Sequence, residues 1–279
     1  MATLYVVATP IGNLEDITLR ALRILSEVEV IVAEDTRVTK KLLRKYEIKA
    51  SLESYSNKDI KYKTVKVLGY LENQDVALVT DAGTPAISDP GKELVDQAIT
   101  RGFNVVSVPG ASSLTASASI SGLDLSRFLY LGFLPSRSMA RRKALLTVTN
   151  STYPLVIFES PHRLKNSLTD MKVILGDRRL VICRELTKIH EEIFRGNITQ
   201  AEKYFVNPIG EFTLIIENEV DDKFADIDQG TLNVAEELMT TLKRKGLTSK
   251  DVIPHLAKLS KISRKTLYTR WTDLTKCND

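Results

Sequence analysis

Cysteine is scarce: Cys183 and Cys277 are the only two in 279 residues, one in a strand-like run and one close to the C-terminal end. That excludes a disulfide framework and fits a reducing compartment, so a cytoplasmic location is expected. The three histidines, His162, His190 and His255, stand at no ligand spacing, and no metal site is expected. No apolar run approaches the roughly 20 residues that cross a bilayer. The opening MATLYVVATPIG has no basic lead-in, so no signal peptide is expected either. Four motifs are also missing: there is no G-x-G, no phosphate-binding P-loop, no H-E-x-x-H and no G-x-S-x-G. A dinucleotide fold, a phosphate cradle or a hydrolase triad would have to be built in some other way.

What is present is a chain of 43% hydrophobic and 27% charged residues, the balance of a soluble globular protein. Its length suits two compact domains plus an appendage. The net charge of +4 is unevenly placed: residues 242–276 hold ten Lys or Arg against Asp251 and Asp273, so the remainder of the chain is net acidic. A positive potential gathered in one appended segment suits a polyanion such as nucleic acid, although a solvated helical surface would read the same way.

The stretch 76–91, VALVTDAGTPAISDPG, organises the rest. Four apolar residues make a buried strand and run into a loop with two glycines and two prolines, which must bend sharply. In an open α/β sheet ligands bind at that end of the strands. Other strands are expected at 3–8, 28–32, near Ser51 and at 104–108. Between them the spacing predicts helices: one from about Asp16, with Ile17, Ala21, Leu22 and Leu25 inward, and a basic one with Leu42 and Leu43 buried. A third has Val65, Val67, Leu68 and Leu71 as its core face, and a fourth covers 93–100. Strands alternating with helices make a doubly wound, mostly parallel sheet. Thr9–Asn13, Glu34–Arg37, Asp81–Pro85 and Pro109–Ser113 then converge on one edge.

The segment Phe128–Pro135 crosses out of this first domain, which we place at 1–134. A second αβ domain (135–218) has strands near 155–159, 180–184, 193–196 and 212–217. An acidic linker (219–230) follows, then a basic helical tail (231–279). In the tail Leu232, Ala235, Leu238, Met239 and Leu242 form one face, and Gly246 stops the helix. Asp251 is expected to cap the next helix, with Pro254 in its first turn. Ser263 is expected to cap the last, stapled by Ile262 and Leu267. The pair resembles a helix-turn-helix, and a plain packing or dimerisation bundle fits the same pattern.

TPIGNLEDIT, AEDTR, DAGTPAISDPG, VPGASS, GFLP, FESPHRL, RELTK and GEFTLIIE occur here in that order. Their order and content resemble the 16S ribosomal RNA cytidine 2′-O-methyltransferases of the tetrapyrrole-methylase superfamily, over residues 3–217, with a similar C-terminal helical region. The resemblance implies a class III methyltransferase fold: two αβ domains plus the helical tail. It also implies S-adenosylmethionine as cofactor, 16S ribosomal RNA or the small subunit as partner, and a homodimer. Ala82-Gly83-Thr84-Pro85 stands where corrinoid and uroporphyrinogen methylases typically have Ser-Gly-Asp-Pro, which disfavours that branch, and Ala111 replaces a common proline. By resemblance the donor lies against Pro10, Asp81, Ala82, Gly83, Thr84, Ile87, Ser112, Ser113 and Leu134. Loss of the ribose 2′ proton calls for a base, with Glu34, Asp35, Glu159 and His162 as unassigned candidates. Arg37, Arg141, Arg142, Lys143, Arg163 and Arg184, with Arg264, Lys265 and Arg270 in the tail, are candidate phosphate contacts, against the plainer reading of solvated helix starts and salt bridges. Two rivals stay open: a tetrapyrrole or other small-molecule methylase, and an RNA-binding module that holds the nucleoside without turnover.

Overall fold

The computed structural model describes residues 2–56, 59–149, 151–218, 229–260 and 262–276, with backbone alone at 229–231, 258, 265, 275 and 276. By contacts the chain divides into Met1–Glu219 and Val220–Asp279. In the first unit the elements run β1 (Thr3–Val7), α1 (Leu19–Glu27), β2 (Val30–Ala33), α2 (Thr36–Lys45), β3 (Ser51–Ser54), α3 (Ile60–Leu71), β4 (Val76–Val79), α4 (Lys92–Thr100), β5 (Asn104–Val108) and α5 (Ser113–Ile120). They continue with β6 (Leu129–Phe133), α6 (Ser138–Leu146), β7 (Leu155–Glu159), α7 (Pro161–Leu175), β8 (Arg179–Arg184), β9 (Glu192–Asn197), α8 (Ile198–Tyr204) and β10 (Phe212–Ile216).

The first sheet has the order β3-β2-β4-β1-β5, and every pairing is parallel. β2 and β4 are buried throughout, as unbroken apolar runs covered on both faces must be. Leu4, Val32, Leu68 and Leu78 fill one layer, while Val7, Leu25, Ile31 and Val79 fill the other. Two helices depart from the periodicity. α1 begins at Leu19, because Thr18 accepts a hydrogen bond from the Ala21 N–H and is the cap; Leu14–Asp16 forms a separate 3₁₀ turn. In α3 the buried position is Thr64, whose hydroxyl meets Tyr55, and Val65 is 59% exposed.

The second sheet, β6-β7-β10-β8-β9, is mixed. Only β6 and β7 pair in parallel; β10 lies antiparallel between β7 and β8. One of its faces packs under α6–α8 through residues such as Leu145, Leu164, Leu168 and Leu214. The other face receives the loops of the first sheet: Val156, Val181, Cys183 and Ile215 contact Ile11, Ala82, Ala111 and Leu114. Burial there pushes the Cys183 thiol up to about 11, an inert core sulfur.

The second unit holds α9 (Gln229–Arg244), α10 (Ser249–Ser260) and α11 (Arg264–Lys276) around Met239, Ile253, Leu267 and Trp271. Gly246, at φ +82, ends α9 as expected: its N–H meets the Lys243 carbonyl and that of Leu247 meets Leu242, a Schellman pair. Leu238 is 46% exposed and not on the core face. Asp251 is not the cap of α10. Its carboxylate reaches back to Thr248, which precedes the helix, and Pro254 consequently falls in the helix interior. Ser263 does cap α11, accepting from the Thr266 N–H at 3.0 Å, with Ile262 and Leu267 buried as the staple. Of the acidic segment, residues 219–228 lie outside the described residues, as does Cys277.

Candidate active site

β2, β4, β1 and β5 are neighbours in the sheet, so the four polar strand ends meet along one rim. Backbone hydrogen bonds stitch them together. Thr9 and Gly83 exchange both N–H···O bonds, at 2.9 and 3.0 Å, and the Ala8 N–H meets the Val108 carbonyl. The Thr9 hydroxyl donates to the Thr80 carbonyl. Gly83 adopts φ +82, a conformation that opposes any side chain, and Ala86 and Ser88 follow at +65 and +66. The loop is therefore folded back on itself, with Ile87 47% exposed on its outside. Gly12 serves differently: a Cβ there would come within 2.5 Å of Lys188 Cγ and 2.9 Å of the Leu186 carbonyl, so this glycine lets the β1 loop dock on the second sheet.

A cavity of about 160 Å³ opens at the rim, lined by Thr9, Pro10, Thr80 and Asp81 and, across from them, by Val38, Thr39, Lys41 and Leu42 of α2. It falls short of the ~300 Å³ of a typical small-molecule pocket. Ser112 stands at the N-cap of α5 with its hydroxyl making no cap bond, which leaves the first-turn N–H groups of α5 to meet an anion.

The rim is acidic. The Thr80 hydroxyl donates to Glu34 at 2.8 Å, and Asp81 accepts the Asp35 N–H at 2.9 Å. Asp35 caps α2 and takes a fork of bonds from Arg37; those bonds lower its pKa to about 2. Burial raises Asp81. Asp89 is pushed up to about 6, chiefly by burial and next by the charge on Glu34, with a hydrogen bond to Thr80 opposing them. Sequence reasoning passed over Thr80 and Asp89; the available signal was a third acid, Asp89, beside Pro90-Gly91 in a loop already facing Glu34 and Asp81.

Asp89 gives a pH-dependent outcome. Its folded pKa lies above the ordinary ~3.9, so its contribution to stability is complete below about pH 4 and is lost as pH rises through 6. Asp89→Asn should therefore stabilise the ligand-free protein at pH 7.5, by roughly 1 kcal/mol after allowance for solvent screening, and leave its stability unchanged at pH 4. Equal melting shifts at both pH values would contradict this assignment.

The model for Tetrapyrrole (Corrin/Porphyrin) Methylases matches residues 3–202. The chain belongs to the tetrapyrrole methylase family. Within it, the chain is 48% identical over 219 residues to Ribosomal RNA small subunit methyltransferase I of Halalkalibacterium halodurans, covering 77% of this chain and 75% of that one. It is 40% identical to the protein of the same name from Synechocystis over 272 residues, 96% of each chain. Among solved structures, Uroporphyrin-III C-methyl transferase from Thermus thermophilus, complexed with S-adenyl homocysteine, superposes with a TM-score of 0.57 at 20% identity, over 77% of this chain and 97% of that one. That likeness carries the two-sheet α/β fold.

Against the methylase framework the remaining expected site residues separate. Pro10, Asp81, Ala82, Gly83, Thr84 and Ile87 share the rim with Ser112 and Ser113, which open α5 beyond β5. Leu134 does not join them by its side chain, which is 3% exposed in the core of the second sheet; its carbonyl accepts from Arg163. Glu159, expected as a candidate base, is buried at 2% and committed to the Ser160 N–H, the Ser167 hydroxyl and Arg163. His162 is exposed, with Nε2 3.4 Å from the Ser160 hydroxyl. Arg184 bridges the Ile209 carbonyl and Glu192. Arg141, expected on phosphate, is 3% exposed: its guanidinium pairs with Asp170 at 2.6 Å and donates to the Pro135 and Ser136 carbonyls. Arg142 also pairs with Asp170 but keeps 43% of its side chain exposed, and Lys143 is open. In the tail Arg264 is exposed, Arg270 pairs with Glu236 at 3.4 Å, and the side chain of Lys265 lies outside the described residues. Among the described residues no cluster of His, Cys, Asp and Glu could hold a metal ion, and no helix is long and apolar enough to cross a membrane.

Proposed function

We propose that this protein methylates the ribose 2′-hydroxyl of a cytidine in 16S ribosomal RNA, using S-adenosylmethionine. The observation that carries the reading is the Thr9–Gly83 stitch at the strand rim, in a chain whose relatives over 96% of its length are named for ribosomal RNA methylation. The domain division proposed from the sequence goes with it: 1–134 holds the donor, 135–218 closes the cleft, and 231–279 delivers RNA past the linker at 219–230.

S-adenosylmethionine supplies an electrophilic methyl on its sulfonium when bound. Main-chain groups of Ala82 and Thr84 would hold the nucleoside, with Gly83, whose own N–H and carbonyl are bonded to Thr9, letting the backbone come close to it, Pro10 and Ile87 as apolar walls and Asp81 as a polar partner. Ser112 and Ser113 present helix N–H groups to a carboxylate. For Leu134 only main-chain contact is left. The methyl would move from sulfur to the ribose oxygen, its bond to sulfur breaking so that the donor leaves as the neutral thioether, and a carboxylate on the rim would take the ribose 2′ proton. Asp35 is a weak base while Arg37 holds it, and Asp89, with its pKa near the working range, is better matched than either Asp35 or the buried Glu159. Glu34, one hydroxyl away through Thr80, shares the rim with it. Arg37, Arg142, Lys143 and Arg264 have the exposure that phosphate contacts require. Homodimeric assembly and a cytoplasmic location complete the reading; sedimentation of the purified chain tests the first.

Labelled methyl should pass from the donor into purified 30S subunits and map to a ribose 2′-oxygen of cytidine. Methyl found on a base, or none transferred, would overturn the reading. Deleting 229–279 should abolish transfer to subunits while donor binding persists, because the basic stretch 242–276 within it, with ten Lys or Arg against two Asp, supplies the attraction to RNA. Full activity of the truncated chain would remove the tail from the mechanism.

A further inference from the structure

On the side of α2 away from the rim lies a second, larger concavity of about 530 Å³. Its floor is apolar, formed by Leu43, Ile48, Ala50 and Leu52, and it runs along β3, the edge strand of the first sheet. Its rim is cationic, with Lys40, Arg44 and Lys49 beside Thr36. Among the described residues none of these three cations has a carboxylate partner, and all three are exposed. Some other cations of the same unit are engaged, such as Lys66 with Glu53, Arg142 with Asp170, Lys172 with Glu202, and Lys188 with Glu185 and Glu211. From Thr36 to Lys49 the chain carries six Lys or Arg and one acid, Glu47, in a region that is net acidic outside the tail.

An apolar floor with a positive rim matches a nucleic acid strand, which presents base and sugar faces beside phosphates. The size is that of a site for one nucleotide. Position matters as much as charge. α2 is the shared wall: Val38, Thr39 and Leu42 face the rim cavity, and Lys40 and Arg44 face the groove. The two spaces are thus separated by one helix, about 10 Å across.

We infer that this groove holds the sugar-phosphate backbone of the RNA strand a short way from the ribose that is methylated, with phosphates on Lys40, Arg44 and Lys49. Arg37, at the other end of the same helix and 87% exposed, continues the track to the rim. The inference rests on the RNA reading above and adds a contact surface independent of the tail.

The test compares the full-length protein with a Lys40→Ala/Arg44→Ala/Lys49→Ala variant. Affinity for purified 16S RNA is measured against salt, kcat and KM on 30S subunits, and donor affinity by calorimetry. Each lost phosphate contact removes about 0.7 from the slope of log affinity against log salt. The slope should therefore become shallower by about 2, and KM should rise at least tenfold, with kcat and donor affinity within twofold of wild type. Arg44→Lys alone should retain near-normal KM. If wild type methylates subunits and the variant shows an unchanged slope and KM, the groove is not an RNA site. If wild type neither binds nor methylates RNA, the RNA reading fails and this inference fails with it. Should the triple variant lose donor binding or melt early, Lys49→Glu, on the exposed turn before β3, decides by the same slope and KM.

Discussion

Replacing Gly83 with valine should cost more than a hundredfold in donor affinity, whereas Gly83→Ala should cost about tenfold. The residue sits at φ +82, where a side chain costs about 1–2 kcal/mol in strain. A Cβ would meet Ile11 Cγ2 at 3.5 Å and the Ala111 carbonyl at 3.9 Å, both ordinary contacts, so alanine suffers conformational strain alone. About tenfold in affinity follows. Valine adds two methyl groups toward those same neighbours, and branching at Cβ makes the left-handed region costlier still. The loop has no room to yield, because the Gly83 N–H and carbonyl are both bonded to Thr9. Relief requires breaking both bonds and unstitching the rim, so the loss should exceed a hundredfold. Calorimetric titration of S-adenosylmethionine into each variant reads this directly, and a valine variant that binds like wild type would remove the loop from the donor site.

Asp170→Ala should be the most damaging change to stability. Its carboxylate, 4% exposed on α7, accepts from Arg141, Arg142 and Ser138. Burial pushes its pKa up, but the bonds from Arg142, Ser138 and Arg141 outweigh that and hold it low. The stabilisation is accordingly complete above the ordinary carboxylate range and is lost only as pH falls through the depressed value. Removing the carboxylate strands the Arg141 guanidinium, 3% exposed, without its counter-charge, at a cost of about 3–5 kcal/mol. That is a large part of the 5–15 kcal/mol by which a domain is stable. Urea unfolding of the full chain should show the loss, and an Arg141→Met/Asp170→Leu double variant should recover most of it, since apolar replacement of both partners leaves no orphan charge. A single variant as stable as wild type would mean the pair contributes nothing.

That ion pair also shows where reading a sequence stops. Arg141, Arg142 and Lys143 are adjacent basic letters at a helix start, and nothing local marks Arg141 as the one that turns inward; the Pro135 and Ser136 carbonyls hold its guanidinium there, against Asp170 twenty-nine positions on, which Arg142 reaches from the surface. Glu159 looked like a candidate base for the same reason, its burial being set by Ser167 and Arg163 one helical turn or two away in space. The parallel sheet was legible because β2 and β4 are continuous apolar runs, and the rim because glycine and proline mark its bends. The antiparallel placement of β10 between β7 and β8 left no mark in its own residues, FTLII, which would suit either direction. Helix starts erred by two or three residues, at Asp16 and Asp251, where another side chain one turn away offered a better hydrogen bond.

The loops that form the rim rest on the second sheet: Ile11, Ala82 and Ala111 lie against Val156, Val181 and Ile215. Swinging the sheets apart would bring that oily seam into water, at about 2.5 kcal/mol for every 100 Å² uncovered. Any motion that uncovers the seam carries that cost, so the rim loops and the second sheet are held together as one piece.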